Sequence, residues 1–91
     1  MSDLISVIIS FYKKSNYLKK TINSLANQTF KNYEVILVYD DPDKSDLQFV
    51  KNCLKKIKNK KIILNKKNHG AGVSRNYGVK KAKGAYITFL D

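Results

Sequence analysis

The sequence predicts an α/β fold on a parallel sheet, with its elements in the order β-α-β-α-β-α-β. Three observations carry this. Short β-branched runs alternate with stretches whose apolar residues recur at helical spacing, the first run is almost continuously apolar, and polar clusters follow the strands. Right-handed crossovers would then place the helices on the faces, and ligands would collect beyond the carboxyl ends of the strands, where strand order reverses.

Leu4-Ile5-Ser6-Val7-Ile8-Ile9 reads as a central strand covered on both faces, ending near Ser10. Ser15 or Asn16 is expected to cap a helix with Leu18, Ile22, Leu25 and Ala26 inside and lysines outside, ending near Gln28. The run from Tyr33 to Tyr39 is the second strand, stopped by Asp40-Asp41-Pro42-Asp43. Asp43, Ser45 or Asp46 then caps a second helix whose stripe is Leu47, Val50, Leu54 and Ile57, widened by Phe49 and Cys53. A third strand, Lys61 to Asn65, leads through the loop Lys66 to Gly72 into a third helix. There Ser74, Gly78 and Ala82 form a strip of small side chains able to approach the sheet, and Gly84 is placed as the glycine that ends the helix. Ala85 to Leu90 is the fourth strand.

Ninety-one residues suffice for one small domain, 1–91, and no second one. The net charge of +11 suits a polyanion, but Arg75 is the only arginine, and base readout and bidentate phosphate clamps favour guanidinium groups. Lysine richness beside isoleucine and asparagine fits codon bias, so no nucleic-acid partner is expected; the lysines would also suit peripheral contact with an anionic membrane. Cys53 has no disulfide partner and belongs in the core, no Cys/His cluster has zinc spacing, and no leader or span is apparent, so a cytoplasmic chain is expected, perched if anywhere at the inner face of a membrane.

The sheet rule nominates four places: the Ser10 to Lys14 loop, the Asp40 to Asp43 loop, the Asn65 to Arg75 loop, and Asp91. A carboxylate of Asp40 or Asp41 can accept a hydrogen bond from a base N–H, although aspartate equally suits a turn. Asn68-His69-Gly70-Ala71-Gly72 opens a helix, where backbone N–H groups suit phosphate, and His69 there reads as solvated. The run is neither a dinucleotide fingerprint nor a Walker A loop, which argues against a nicotinamide-dependent dehydrogenase. Arg75 beside it offers planar, bidentate contact. Asp91 ends a strand where a carboxylate can meet a ribose hydroxyl or a divalent ion, and magnesium or manganese needs one or two such carboxylates plus diphosphate oxygens.

Four segments in this order resemble family 2 glycosyltransferases of the GT-A fold: Ser6-Val7-Ile8-Ile9-Ser10-Phe11-Tyr12-Lys13, Val38-Tyr39-Asp40-Asp41-Pro42-Asp43, Gly70-Ala71-Gly72-Val73-Ser74-Arg75-Asn76-Tyr77-Gly78, and Phe89-Leu90-Asp91. Ser24 to Phe30 is similar to a further family segment, so the resemblance covers essentially the whole chain. It implies the Rossmann-like, donor-binding half of a nucleotide-diphospho-sugar transferase, with Ser10, Phe11, Tyr12 and Asp40 recognising the base, usually uridine, and Arg75 touching the nucleotide. Asp91 is implied to be the first carboxylate of the D-x-D motif, reaching the ribose or a Mg2+ or Mn2+ ion. Ser10, Lys13 and Pro42-Asp43 depart from the family's proline, asparagine and Gly-Ser.

The implied reaction is inverting transfer from a UDP-sugar to a saccharide or lipid-linked acceptor, as in bacterial surface polysaccharide synthesis. No acidic residue here reads as its base, so the chain alone is expected to be inactive, and the uncovered half-sheet is expected to favour self-association. The competing reading is a non-catalytic basic α/β module that binds nucleotides or polyanions.

Overall fold

The apolar runs form β1 (Ile5–Phe11), β2 (Tyr33–Tyr39), β3 (Lys60–Leu64) and β4 (Tyr86–Leu90), separated by α1 (Ser15–Asn27), α2 (Leu47–Leu54) and α3 (Ala71–Lys81). These come from a computed structural model that describes residues 3–90. All strand pairs are parallel and the order is β3-β2-β1-β4, the alternation the sequence predicts. The chain moves from β1 outward to β2 and β3, then returns through α3 to place β4 on the far side of β1. The reversal of strand order therefore lies between β1 and β4.

Strand alternation divides the side chains between two layers. Val7, Ile9 and Phe11 of β1 and Val35, Leu37 and Tyr39 of β2 pack with Leu18, Ile22 and Leu25 of α1 and with Val50 and Leu54 of α2. Each such aliphatic group, fully buried, contributes up to about 1.5–3 kcal/mol. The opposite face carries Ser6, Ile8, Glu34, Ile36 and Val38, all buried, and α3 lies over it. The small-residue strip does what its spacing predicts at Ser74 and Gly78, both buried. A β-carbon on Gly78 would stand 2.6 Å from Ile8 Cγ2, so glycine sets the helix-to-sheet distance there.

Several boundaries differ from expectation for visible reasons. Neither Ser15 nor Asn16 caps α1: the capping position is Lys14, which makes no side-chain cap bond. At the other end of α1, the Tyr33 hydroxyl donates to the Leu25 carbonyl at 3.0 Å. Asp46 occupies the α2 cap position, also without a side-chain bond, while Asp43 Oδ1 accepts from the Ser45 N–H at 2.9 Å in a local turn. The buried Tyr39 hydroxyl organises that loop instead, donating to the Asp43 carbonyl at 2.8 Å and accepting from the Asp46 N–H at 3.2 Å. Ile57 lies past α2 but is buried as its apolar character requires. Ala82 falls just beyond α3.

Gly84 does not adopt the left-handed conformation of a helix-ending glycine; among the described glycines only Gly70 has a positive φ, at 89°. Gly84 is needed for closeness. A β-carbon there would lie 2.6 Å from Ser6 Oγ and 2.7 Å from the Leu4 carbonyl oxygen. Its N–H donates to Ser6 Oγ at 2.8 Å, Ser6 donates on to Glu34 Oε2 at 2.6 Å, and the Lys83 N–H donates to the same oxygen at 2.7 Å. This buried clasp ties the turn before β4 to β1 and β2. Beyond it β4 is a bare edge: Tyr86, Ile87 and Phe89 are exposed, Tyr86 by 61%.

Candidate functional site

A cleft of about 430 Å³ opens at the carboxyl end of β1. Three of the four nominated places meet in it. Ser10, Tyr12 and Lys14 come from the first loop, Asp40 from the end of β2, and Asn68, Gly70 and Arg75 from the segment that enters α3. The fold explains the convergence, because α1 and α3 both begin at this end of the sheet, on either side of the place where strand order reverses. Tyr17 and Thr21, one helical turn apart on α1, complete the wall. Nothing local in the sequence singles them out, since their position follows from the way α1 lies beside the strand end. Asp91 lies outside the described residues.

Each nominated residue contributes differently. Tyr12 is 44% exposed, so its ring is available to a ligand. Phe11 borders the cleft, but its ring is buried in the core and stacks on Tyr39 with centroids 5.6 Å apart. Its side chain therefore supports the floor and does not face a base. Arg75 stands in the first turns of α3, half-buried, and borders the cleft together with Lys14. Two cations and two tyrosines around a polar strand end suit a ligand with an aromatic part and an anionic part.

Asp40 is buried, and donors surround its carboxylate: Asn65 Nδ2 at 2.9 Å and the His69 N–H at 2.7 Å on Oδ1, the Gly70 N–H at 2.9 Å and Asn68 Nδ2 at 3.3 Å on Oδ2. The backbone N–H groups of His69 and Gly70, which the sequence suggests for phosphate, are thus directed at a carboxylate of the chain itself. His69 is not merely solvated; its ring packs edge-on against Tyr77 at 5.5 Å.

Asp41, also buried, faces a different way. Its Oδ1 accepts from the Asp43 N–H at 2.9 Å, and its Oδ2 lies 3.4 Å from Lys13 Nζ, which is also 3.9 Å from Asp43. Lys13 has a positive φ of 56°, unusual for a lysine, so the ion pair and the tight turn hold each other in place. The hydrogen bond that Lys13 donates to Asp41, and then the charge of Asp41, raise the Lys13 ammonium above its ordinary range, while the Ser45 N–H and its hydroxyl hold the Asp43 carboxyl below the ordinary range, aided by Lys13. Cys53 packs against the core, and burial pushes its thiol up despite Lys19 and Lys56, which fits a packing residue. Among the described residues no group of three histidine, cysteine or acidic side chains is placed to hold a metal ion.

Against known proteins, the chain matches the sequence model of Glycosyl transferase family 2 over residues 6–91. The chain belongs to this family. It is 45% identical over 89 residues to the minor teichoic acid biosynthesis protein GgaB of Bacillus subtilis, covering 94% of this chain and 10% of that protein. To the UDP-Glc:alpha-D-GlcNAc-diphosphoundecaprenol beta-1,3-glucosyltransferase WfaP of Escherichia coli it is 41% identical over 91 residues, covering 98% of this chain and 35% of WfaP. Among solved structures, S. aureus TarS 1-349 in complex with UDP-GlcNAc superposes with a TM-score of 0.83 at 35% identity, over 96% of this chain and 26% of that one. The GT-A architecture inferred for this family 2 chain is thereby established. The chain spans about a third or less of the length of these relatives.

Proposed function

We propose that this chain forms the donor-binding part of an inverting glycosyltransferase that takes its sugar from a nucleotide diphosphate sugar, with uridine as the base. The observation that carries the proposal is the cleft at the end of β1, where Tyr12 and Tyr17 stand with Lys14 and Arg75 around Ser10 and Asp40. An exposed aromatic ring suits a base, and a guanidinium suits a diphosphate or a ribose hydroxyl. TarS, with 35% identity, is described in complex with UDP-GlcNAc, and WfaP is named for a UDP-glucose donor and a lipid-linked acceptor, which supports the uridine reading and a saccharide or lipid-linked acceptor here. GgaB's part in teichoic acid synthesis supports surface polysaccharide assembly as the setting.

The described carboxylates do not make a metal site: Asp40 is taken up by its donors and Asp41 by Lys13 and the Asp43 N–H. Asp91, together with diphosphate oxygens, would hold a Mg2+ or Mn2+ ion, which would neutralise charge on the diphosphate leaving group. What the chain itself does is bind and orient the nucleotide, which places the leaving group for attack by an acceptor hydroxyl.

Chemical-shift mapping with uridine diphosphate tests the reading. Shifts should concentrate on Tyr12, Ser10, Asn68 and Arg75. Shifts confined to lysines over the whole surface, and equally large with any polyanion, would replace it with the basic-module reading.

A further inference from the structure

We infer that Asp40 is a positioning residue, the internal anion around which the 65–70 turn is folded, and not a group that reads the nucleobase; this rests on the cleft being the nucleotide site. Both carboxylate oxygens accept N–H donors, two on each oxygen. Asn68 adds a bond from the same Nδ2 to the Asp40 carbonyl at 2.9 Å, and Asn65 Nδ2 also reaches Ser74 Oγ at 3.2 Å. Side chains and backbone of one turn therefore converge on one buried residue at the end of β2.

The consequence is functional because that turn is a wall of the cleft. Asn68, Gly70, Ala71 and Arg75 all line it, and all follow from where the turn is held. Gly70 takes a φ of 89°, a backbone conformation that side chains resist, so that its N–H can point at Asp40. The negative charge that the opening of α3 favours is already supplied from within. Arg75 begins the second turn of that helix, so its place along the cleft wall is set by Asp40 through the backbone. Base selection then falls to cleft groups other than Asp40, and Asp40 acts on affinity for every nucleotide alike.

The test uses the whole chain with Asp40→Asn, amide hydrogen exchange, and titration of uridine, cytidine and guanosine diphosphates. An amide cannot accept on both sides, so one N–H of the turn meets an NH2 group. Loss of one charge-assisted bond should raise exchange at His69 and Gly70 about tenfold or more while β1 and β2 amides keep their protection. Affinity for each nucleotide that the unaltered chain binds should fall by a shared factor. Should the variant not fold, Asn68→Ala removes a single arm of the turn and is expected to show the same pattern with smaller changes. Unchanged exchange at His69 and Gly70, or a loss confined to uridine diphosphate, would overturn the inference. If the unaltered chain binds no nucleotide, the proposed function fails, while the exchange measurement still decides whether Asp40 holds the turn.

Discussion

Removing the Glu34 carboxylate gives the sharpest stability test of how β4 is attached. In Glu34→Ala, the buried Ser6 hydroxyl and the Lys83 N–H lose the oxygen they reach at 2.6 and 2.7 Å. Hydrogen bonds to a charged acceptor contribute about 1.5–3 kcal/mol each, so the loss should be about 3–6 kcal/mol, towards the lower end if water enters. A domain of this size has a total stability on the order of 5–14 kcal/mol, so the effect is large. Urea unfolding followed by circular dichroism should show it as a fall in midpoint of about 1 M or more. Exchange should locate it at the Ala85 and Tyr86 amides, which donate to the Leu4 carbonyl.

The pH dependence supplies an independent check. Burial pushes the Glu34 carboxyl up, but Ser6, the Lys83 N–H and the charges of Lys61 and Lys83 outweigh it, leaving it below its ordinary value of 4.5. The unfolded chain therefore binds this proton more readily. The contribution is fully present above the unfolded value and is lost as pH falls through the folded one. The stability gap between the native chain and Glu34→Gln should thus be open at neutral pH and close in acid. A cost below about 1 kcal/mol for the alanine variant, or a glutamine gap that stays constant into acid, would refute the clasp.

Gly84→Ala should destabilise by about 1–3 kcal/mol or more, because its new methyl would meet the Leu4 carbonyl and Ser6 backbone at 2.7 Å; a thermal melt within experimental error of the native one would contradict this. Tyr39→Phe should cost about 1–2 kcal/mol and raise exchange at Asp46, whose N–H the hydroxyl accepts. Lys13→Gly trades an ion pair that is exposed at the lysine and buried at Asp41 for relief of the positive φ, so the two effects oppose and the urea midpoint should stay close to native. Cys53, its thiol raised by burial, should alkylate more slowly than a free thiol at neutral pH, with a half-maximal rate at higher pH; faster alkylation would contradict its packing.

Periodicity made the fold readable in the sequence. A parallel βα alternation leaves a signal in every strand and helix, and Leu18, Ile22, Val50 and Leu54 face the core as their spacing requires. The convergence of the strand-end loops was readable as far as a rule about strand ends reaches: Ser10, Tyr12, Asp40 and Arg75 line one cleft. What escaped depends on contacts distant in sequence. Nothing local to Glu34 reveals that Lys83, 49 positions on, will bond to it. At the start of α2, Asp46 holds the cap position as one of the three expected residues, but its N–H donates to a buried tyrosine hydroxyl and its side chain makes no cap bond. Gly84 reads as a helix-ending glycine because sequence shows a glycine's position and not what approaches it. Asp40 borders the cleft, but its donors come from a turn whose path the sequence does not trace.

The central claim is that the cleft at the end of β1 takes a uridine diphosphate group through Tyr12 and Arg75. Isothermal titration of uridine diphosphate into the native chain and into Arg75→Ala, at about 0.15 M salt where diffuse attraction to lysines is screened, tests it most directly. Saturable binding by the native chain, weakened about tenfold or more in Arg75→Ala, is the predicted result. Equal binding by both chains, or heat reproduced by inorganic polyphosphate, would contradict it.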